Sequence, residues 1–346
     1  MKNWKQLVIG LSIAVGALYY TLRNVSLNEL LESFKNVDYI YLIPTAILGI
    51  LSYVIRAYRW RVLISPMKDV PTSGLYAPLM VGFMGNILPA RAGEFLRAYL
   101  LSKKFGISFS GSFATIIVER VFDVIMLLIL FTWVSIFHAE AFDIKTSFSG
   151  ISLQTLATRF GQLCAILISG LIVFIAMLTF QKQRLLRLIQ SITRFLPQKW
   201  HDKVEYLVEE FAIGLLVVKD FGAVMKITFY SLLVWIFIVS SYYPLYFAYD
   251  LHDKSMQSLL ILTVMVCILI ALLPTPAFLG SFQAGVVIGL HEIMGEPEIT
   301  AVSYGMVSWG VNFFIILCAG VFFILHEHLS VSQLVEVEER GEDALK

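Results

Sequence analysis

Three ionisable residues stand where charge is expensive. Glu119, Arg120 and Asp123 fall inside the apolar run Phe109–Phe137, and a charge at the centre of a bilayer costs at least about 2.5–3.5 kcal/mol. Such residues must face other protein groups and pair with them. Glu119 and Asp123 are four apart and share a helix face, while Arg120 and Asp123 are three apart. Their net charge is −1, and a second set, Arg91, Glu94 and Arg97, repeats every three residues with net charge +1. The simplest arrangement pairs the two sets. Two readings then stay open: a buried network that holds the second segment in place, or an anion site in which Arg91 or Arg97 offers its planar donor fork to a phosphate. Asn86, just upstream, can hydrogen-bond either a broken backbone or a lipid head group. Asn86, Arg91, Glu94, Arg97, Glu119, Arg120 and Asp123 are therefore the candidate head-group residues.

Other chemistry fails its spacing tests. His291-Glu292 lacks the second histidine of a zinc protease, and His326-Glu327-His328 reads as a solvated helix end. Gly106-Ile107-Ser108-Phe109-Ser110 misses the nucleophile-elbow pattern at its last position. No phosphate-binding P-loop or dinucleotide fingerprint occurs, so ATP-driven work would need another subunit. Cys164, Cys267 and Cys318 each lie in an apolar run, which argues against a disulfide framework and a thiolate metal site. No catalytic residue, metal or cofactor is expected.

The elements that position these residues follow from composition. The 346 residues are 58% hydrophobic and only 15% charged, against roughly 45–50% and about 25% for soluble domains. So apolar a chain is a polytopic membrane protein, and its net charge of +1 gives no basic field for nucleic acid. A hydrocarbon core of about 30 Å needs roughly 20 apolar helical residues, which predicts six all-α crossings: Trp4–Leu22, Tyr39–Ala57, Phe109–Phe137, Phe160–Phe180, Val224–Tyr246 and Thr300–Leu325. No small-residue cleavage pattern follows the first, so it reads as an uncleaved span. Two more apolar segments, 74–101 and 257–294, are interrupted by Pro89 and Gly93 and by Pro274, Pro276 and Gly280. Proline breaks a helix interior, and freed backbone groups cannot face lipid. Both segments are therefore expected to be re-entrant or broken-helix hairpins.

Placing the N-terminus inside puts 19 of the 26 Lys and Arg on the cytoplasmic side and five outside, so both termini are expected in the cytoplasm. Ser26-Leu27-Asn28-Glu29 reads as a capping box opening a short interfacial helix, with Leu27, Leu30, Leu31 and Phe34 as its apolar stripe. A second amphipathic stretch lies in 181–222, where Trp200, Val204, Leu207, Phe211, Leu215 and Val218 recur at helical spacing behind the basic Arg184, Arg187 and Arg194.

The two interruptions resemble each other. Their Leu-Pro pairs, Leu88-Pro89 and Leu273-Pro274, are 185 residues apart, and each has two crossings before it and one after. Three crossings per unit is odd, so the second unit would enter the membrane inverted, as in many secondary transporters. The expected organisation is a first repeat at 1–150, a second at 151–325 and an acidic cytoplasmic tail at 326–346.

Asn86-x-Leu88-Pro89-Ala90-Arg91-Ala92-Gly93-Glu94-x-x-Arg97-Ala98, followed by Glu119-Arg120-x-x-Asp123, resembles the lysylphosphatidylglycerol synthase transmembrane region family, also called the flippase-like family. Pro274, Pro276, Gly280 and Phe282 look like that family's later motif, although Ala277-Phe278-Leu279 and Gln283 stand where a glycine run and an acidic residue are commoner. The resemblance implies an inner-membrane protein that moves a phospholipid or lipid-linked head group between leaflets. It also implies that the namesakes' cytoplasmic synthase domain is missing, since about 20 residues follow the last predicted span. Membrane lipids are the expected partners, with a separate synthase or glycosyltransferase and self-association left open. The rival expectations are a membrane anchor for such an enzyme and, behind it, a head-group transferase using Glu94, Glu119 or Asp123 as a base.

Overall fold

The computed structural model describes residues 4–87, 93–137, 153–181, 198–273 and 275–329. Arg91, Pro89 and Pro274, and the basic run containing Arg184, Arg187 and Arg194, lie outside the described residues. Among the described residues the chain is all-helical, with no strand. The α-helices are α1 (Trp4–Leu22), α2 (Leu27–Lys35), α3 (Leu42–Ile64), α4 (Thr72–Gly85), α5 (Gly93–Phe105), α6 (Phe109–Phe137), α7 (Leu153–Phe180), α8 (Gln198–Gly214), α9 (Phe221–Ala248), α10 (Met256–Leu272), α11 (Ser281–Val286) and α12 (Glu298–His326). A π-helical stretch, Val287–Ile293, continues α11.

Among the described residues, four apolar stretches are long enough to cross a membrane: Tyr39–Ile64, Gly161–Thr179, Phe221–Ala248 and Glu298–His326. Helices also occupy the first and third predicted spans, Trp4–Leu22 and Phe109–Phe137. The second predicted span runs further than expected, because α3 continues past Ala57 to Ile64 and carries Arg56 and Arg59 inside the molecule. The charge count placed both on the cytoplasmic side, Arg56 at the last turn of the predicted span and Arg59 just beyond it. With Arg97, which is also buried, three of the 19 arginines and lysines counted inside are internal, and 16 against five leaves the bias in place.

The interfacial helix α2 begins as expected: the Ser26 hydroxyl accepts from the Glu29 N–H at 3.2 Å. Its stripe divides, since Leu30 is buried while Leu27 and Leu31 stay exposed. Residues of α8 pack on the start of α6, where the Ser110 hydroxyl donates to the Leu207 carbonyl at 2.8 Å.

Helices α3 and α9 form a long antiparallel pair. Tyr41 stacks with Phe247 at one end and Tyr58 with Tyr230 at the other. Both interrupted segments fold back on themselves. In the first, a Cβ on Gly74 would meet Phe105, one on Gly82 would meet Arg97, and one on Gly85 would meet Gly93. These contacts make α4 and α5 an antiparallel hairpin with almost no space between its arms. Gly93 has no alternative: a Cβ there would lie 2.1 Å from the Gly82 carbonyl oxygen. The arms, 14 and 13 residues long, rise only about 20 Å each, short of the roughly 30 Å hydrocarbon thickness. The second segment closes the same way. Gly285 lies against Val266 and Gly289 against Leu262, a Gly-x-x-x-Gly spacing that lets the two arms approach closely.

Contacts along α12 give the relative placement of the hairpins. Gly305 meets Gln283 and Val286, and the Trp309 indole donates to the Ala277 carbonyl at 2.8 Å. Further along, Gly320 meets Met84, Phe323 and Ile324 pack on the Leu96 and Leu100 cluster, and Lys104 pairs with Glu327. The base of the second hairpin thus lies toward Glu298 and the base of the first toward His326. Their tips face each other, and the Ala277 N–H donates to the Asn86 carbonyl at 3.4 Å.

Candidate functional site

The charged residues of α5 and α6 do pair, and α3 joins them. Arg97 forks onto Glu119, with Nη2 2.7 Å from Oε2 and Nη1 3.1 Å from Oε1. Its guanidinium lies 3.8 Å from the Trp60 ring centroid, and the Trp60 indole is held by a 3.0 Å bond to Thr115. Arg97 is therefore fixed on a face and along an edge. Arg120 reaches three carboxylates: Nη2 to Glu119 at 2.9 Å, Nη1 to Asp123 at 3.3 Å and Nε to Glu94 at 3.3 Å. Glu94 and Arg120 are the open edge, their side chains 40% and 36% exposed.

Arg56 and Arg59, three apart on α3, complete the cluster. Arg59 is fully buried; its Nη1 lies 2.6 Å from Asp123 Oδ1 and 3.0 Å from the Ser231 hydroxyl, and its Nη2 3.0 Å from Glu119 Oε1. Arg56 lies further off, with Nη1 3.5 Å from Asp123 and 3.9 Å from Glu119. Its guanidinium sits 5.5 Å from the Phe83 ring centroid, one helical turn before Asn86. The sequence reading missed both arginines because they lie at the end of an apolar run, where basic residues ordinarily meet solvent. A signal existed: Arg56 and Arg59 are three apart and share a helix face, the same spacing at which Arg91, Glu94 and Arg97 repeat.

Among the described residues four guanidiniums meet three carboxylates, leaving one positive charge. In surroundings of low dielectric each pair attracts strongly, yet desolvation offsets most of that gain. The arrangement holds because every carboxylate has at least one close cation. Chemically it is an ion cluster with one positive charge in excess and a partly open rim; the carboxylates are all paired with arginines and poorly placed to act as bases.

Asn86 caps α4, and its side-chain oxygen lies against Gly93, where it fills the turn of the first hairpin. The second break contains no charge and satisfies itself. Thr275 and Ser281 hydroxyls are 2.9 Å apart, and the Gln283 side chain accepts from the Gly280 N–H at 2.7 Å. Ala277, Phe278 and Gly280 have positive φ values of 50°, 60° and 87°. For the first two this left-handed backbone is a local strain, held by the bonds of Ala277 to Trp309 and Asn86. Pro276 opens the short 3-10 turn Pro276–Phe278.

Comparison with known proteins gives a family and several relatives. The family described as lysylphosphatidylglycerol synthase TM region matches residues 7–320. Two UPF0104 membrane proteins of Methanothermobacter thermautotrophicus are similar, one 23% identical over 93% of this chain and 95% of its own, the other 28% identical over 77% and 78%. The glycosyltransferase AglD of Haloferax volcanii is 28% identical over 121 residues, which are 34% of this chain and 19% of that protein. No solved structure matches the chain.

Proposed function

The chain belongs to the lysylphosphatidylglycerol synthase TM region family, and from that footing we propose that it moves a phospholipid or lipid-linked head group between the leaflets of the cytoplasmic membrane. One observation carries the reading: a buried ion cluster with an excess of positive charge and an open rim, set beside the tip of a helical hairpin in a membrane protein. Intramembrane charge of this kind marks substrate paths, and discontinuous helices meeting near the midplane mark transporter sites. The head group would cross at the cluster while the tails stay in lipid.

On this reading the two hairpins are re-entrant, the first from the cytoplasm and the second from outside. Residues 1–150 and 151–325 are then inverted repeats with both termini inside. Their approach from opposite ends of α12 supports that sidedness. The test is lipid exchange in reconstituted vesicles, read by chemical quenching of a fluorescent phospholipid in the outer leaflet. Exchange faster than in protein-free vesicles is expected; equal rates overturn the proposal.

A second reading has one observation in its favour, the similarity to a region of a glycosyltransferase. In it the chain is a membrane partner of a separate lipid-modifying enzyme. Replacing Arg97 or Glu119 would then spare function whenever the protein still inserts, whereas translocation would be lost.

A further inference from the structure

Arg56 holds a place unlike that of its three neighbours. Each of the others has a carboxylate oxygen within 3.0 Å of a guanidinium nitrogen. The nearest carboxylate oxygen to Arg56 is 3.5 Å away, and its buried Nε and Nη1 make no hydrogen bond; the other three also have idle nitrogens, but each is anchored by a close carboxylate as well. A buried guanidinium with idle donors is unfavourable, and stays so until an acceptor arrives. The uncompensated positive charge of the described cluster therefore sits chiefly on Arg56.

The surroundings shape that charge into a seat. Phe83 lies under the guanidinium, so the ring meets its face and leaves the in-plane N–H groups for a forked acceptor. Asp123 Oδ2 is shared between Arg56 at 3.5 Å and Arg120 at 3.3 Å, which puts the half-exposed Arg120 next to the seat. Phe83 is three residues from Asn86, so the seat adjoins the hairpin tip. Arg59 and Arg97, by contrast, are spent on Asp123, Ser231 and Glu119 and on stacking with Trp60.

We propose that Arg56, flanked by Arg120, is the anion seat of this site and takes the single negative charge of a phosphodiester, the linkage of a glycerophospholipid head group. One such charge neutralises the described cluster. Arg59 and Arg97 position the carboxylates and do not hold the ligand. The choice of a lipid as the source of that phosphodiester rests on the translocation reading; the seat itself does not.

Calorimetric titration of the detergent-solubilised full chain tests this with three probes: dihexanoyl phosphatidylglycerol, dihexanoylglycerol with the same tails and no phosphate, and inorganic phosphate. The unaltered protein and Arg61→Gln, an exposed residue outside the cluster, should bind the first probe and neither of the others. Arg56→Gln should bind it at least tenfold more weakly with an unchanged unfolding temperature, because no carboxylate loses its nearest partner. Arg56→Lys, which keeps the charge and loses the fork, should fall between. Wild-type affinity in either Arg56 variant overturns the seat, and so does equal binding of dihexanoylglycerol; equal binding of inorganic phosphate overturns the lipid as its source. Vesicle exchange separates the two proposals: binding lost in Arg56→Gln from a protein that exchanges no lipid keeps the seat and removes translocation. Normal exchange by Arg56→Gln does the reverse.

Discussion

At the scale of single residues, Glu119 is the hinge of the electrostatics. It is fully buried and has Arg59, Arg97 and Arg120 within 3.0 Å, so neutralising it leaves three guanidiniums competing for Asp123 and Glu94. Removing one partner of a buried ion pair costs about 3–5 kcal/mol. Glu119→Gln should therefore lower unfolding stability in detergent by about that amount, and by more than Arg97→Gln, after which Glu119 still keeps two cations. Equal thermal midpoints for wild type and Glu119→Gln would refute this. Much of the site was legible in the sequence: three charges in an apolar run had to be internal, and Arg97 and Glu94 stood at the right spacing to meet them. Arg56 and Arg59 were not legible, because charge at a predicted span end is ordinarily solvated, and only the continuation of α3 to Ile64 turned them inward.

Among the elements, the first hairpin depends on the absence of side chains where its arms cross. Gly93 is the strictest case, as a methyl group would lie 2.1 Å from the Gly82 carbonyl oxygen. Backbone cannot yield there without parting α4 from α5, which also carries Arg97 away from Glu119. Gly93→Ala should sharply reduce the monodisperse fraction on size-exclusion chromatography, whereas Gly106→Ala, with nothing within 4 Å of its Cβ position, should lose only what its positive φ of 66° costs, about 1 kcal/mol. Comparable losses for both would mean that arm contact is unimportant. Proline and glycine in an apolar segment were enough to expect a break at each hairpin. They could not tell how the uncharged second break would satisfy itself: the Thr275–Ser281 and Gln283–Gly280 bonds come from a turn whose left-handed Ala277 and Phe278 no propensity would suggest.

For the whole molecule, opposed hairpins make a claim about sidedness. Asp69 lies in the exposed loop at the base of the first hairpin and Asp253 in the exposed loop at the base of the second. With Cys164, Cys267 and Cys318 replaced by serine, Asp69→Cys and Asp253→Cys in intact cells should react with a membrane-impermeant maleimide from opposite faces, Asp253→Cys from outside. Labelling of both from one face would exclude inverted insertion. The join between the two hairpin tips has a further consequence. It is a main-chain bond from Ala277 to Asn86, so residue identity at either position can drift without severing it. At 3.4 Å it is also longer than a well-formed amide link, and its loss is correspondingly cheap. The two hairpin tips thus share a join that mutation seldom reaches and thermal agitation readily undoes.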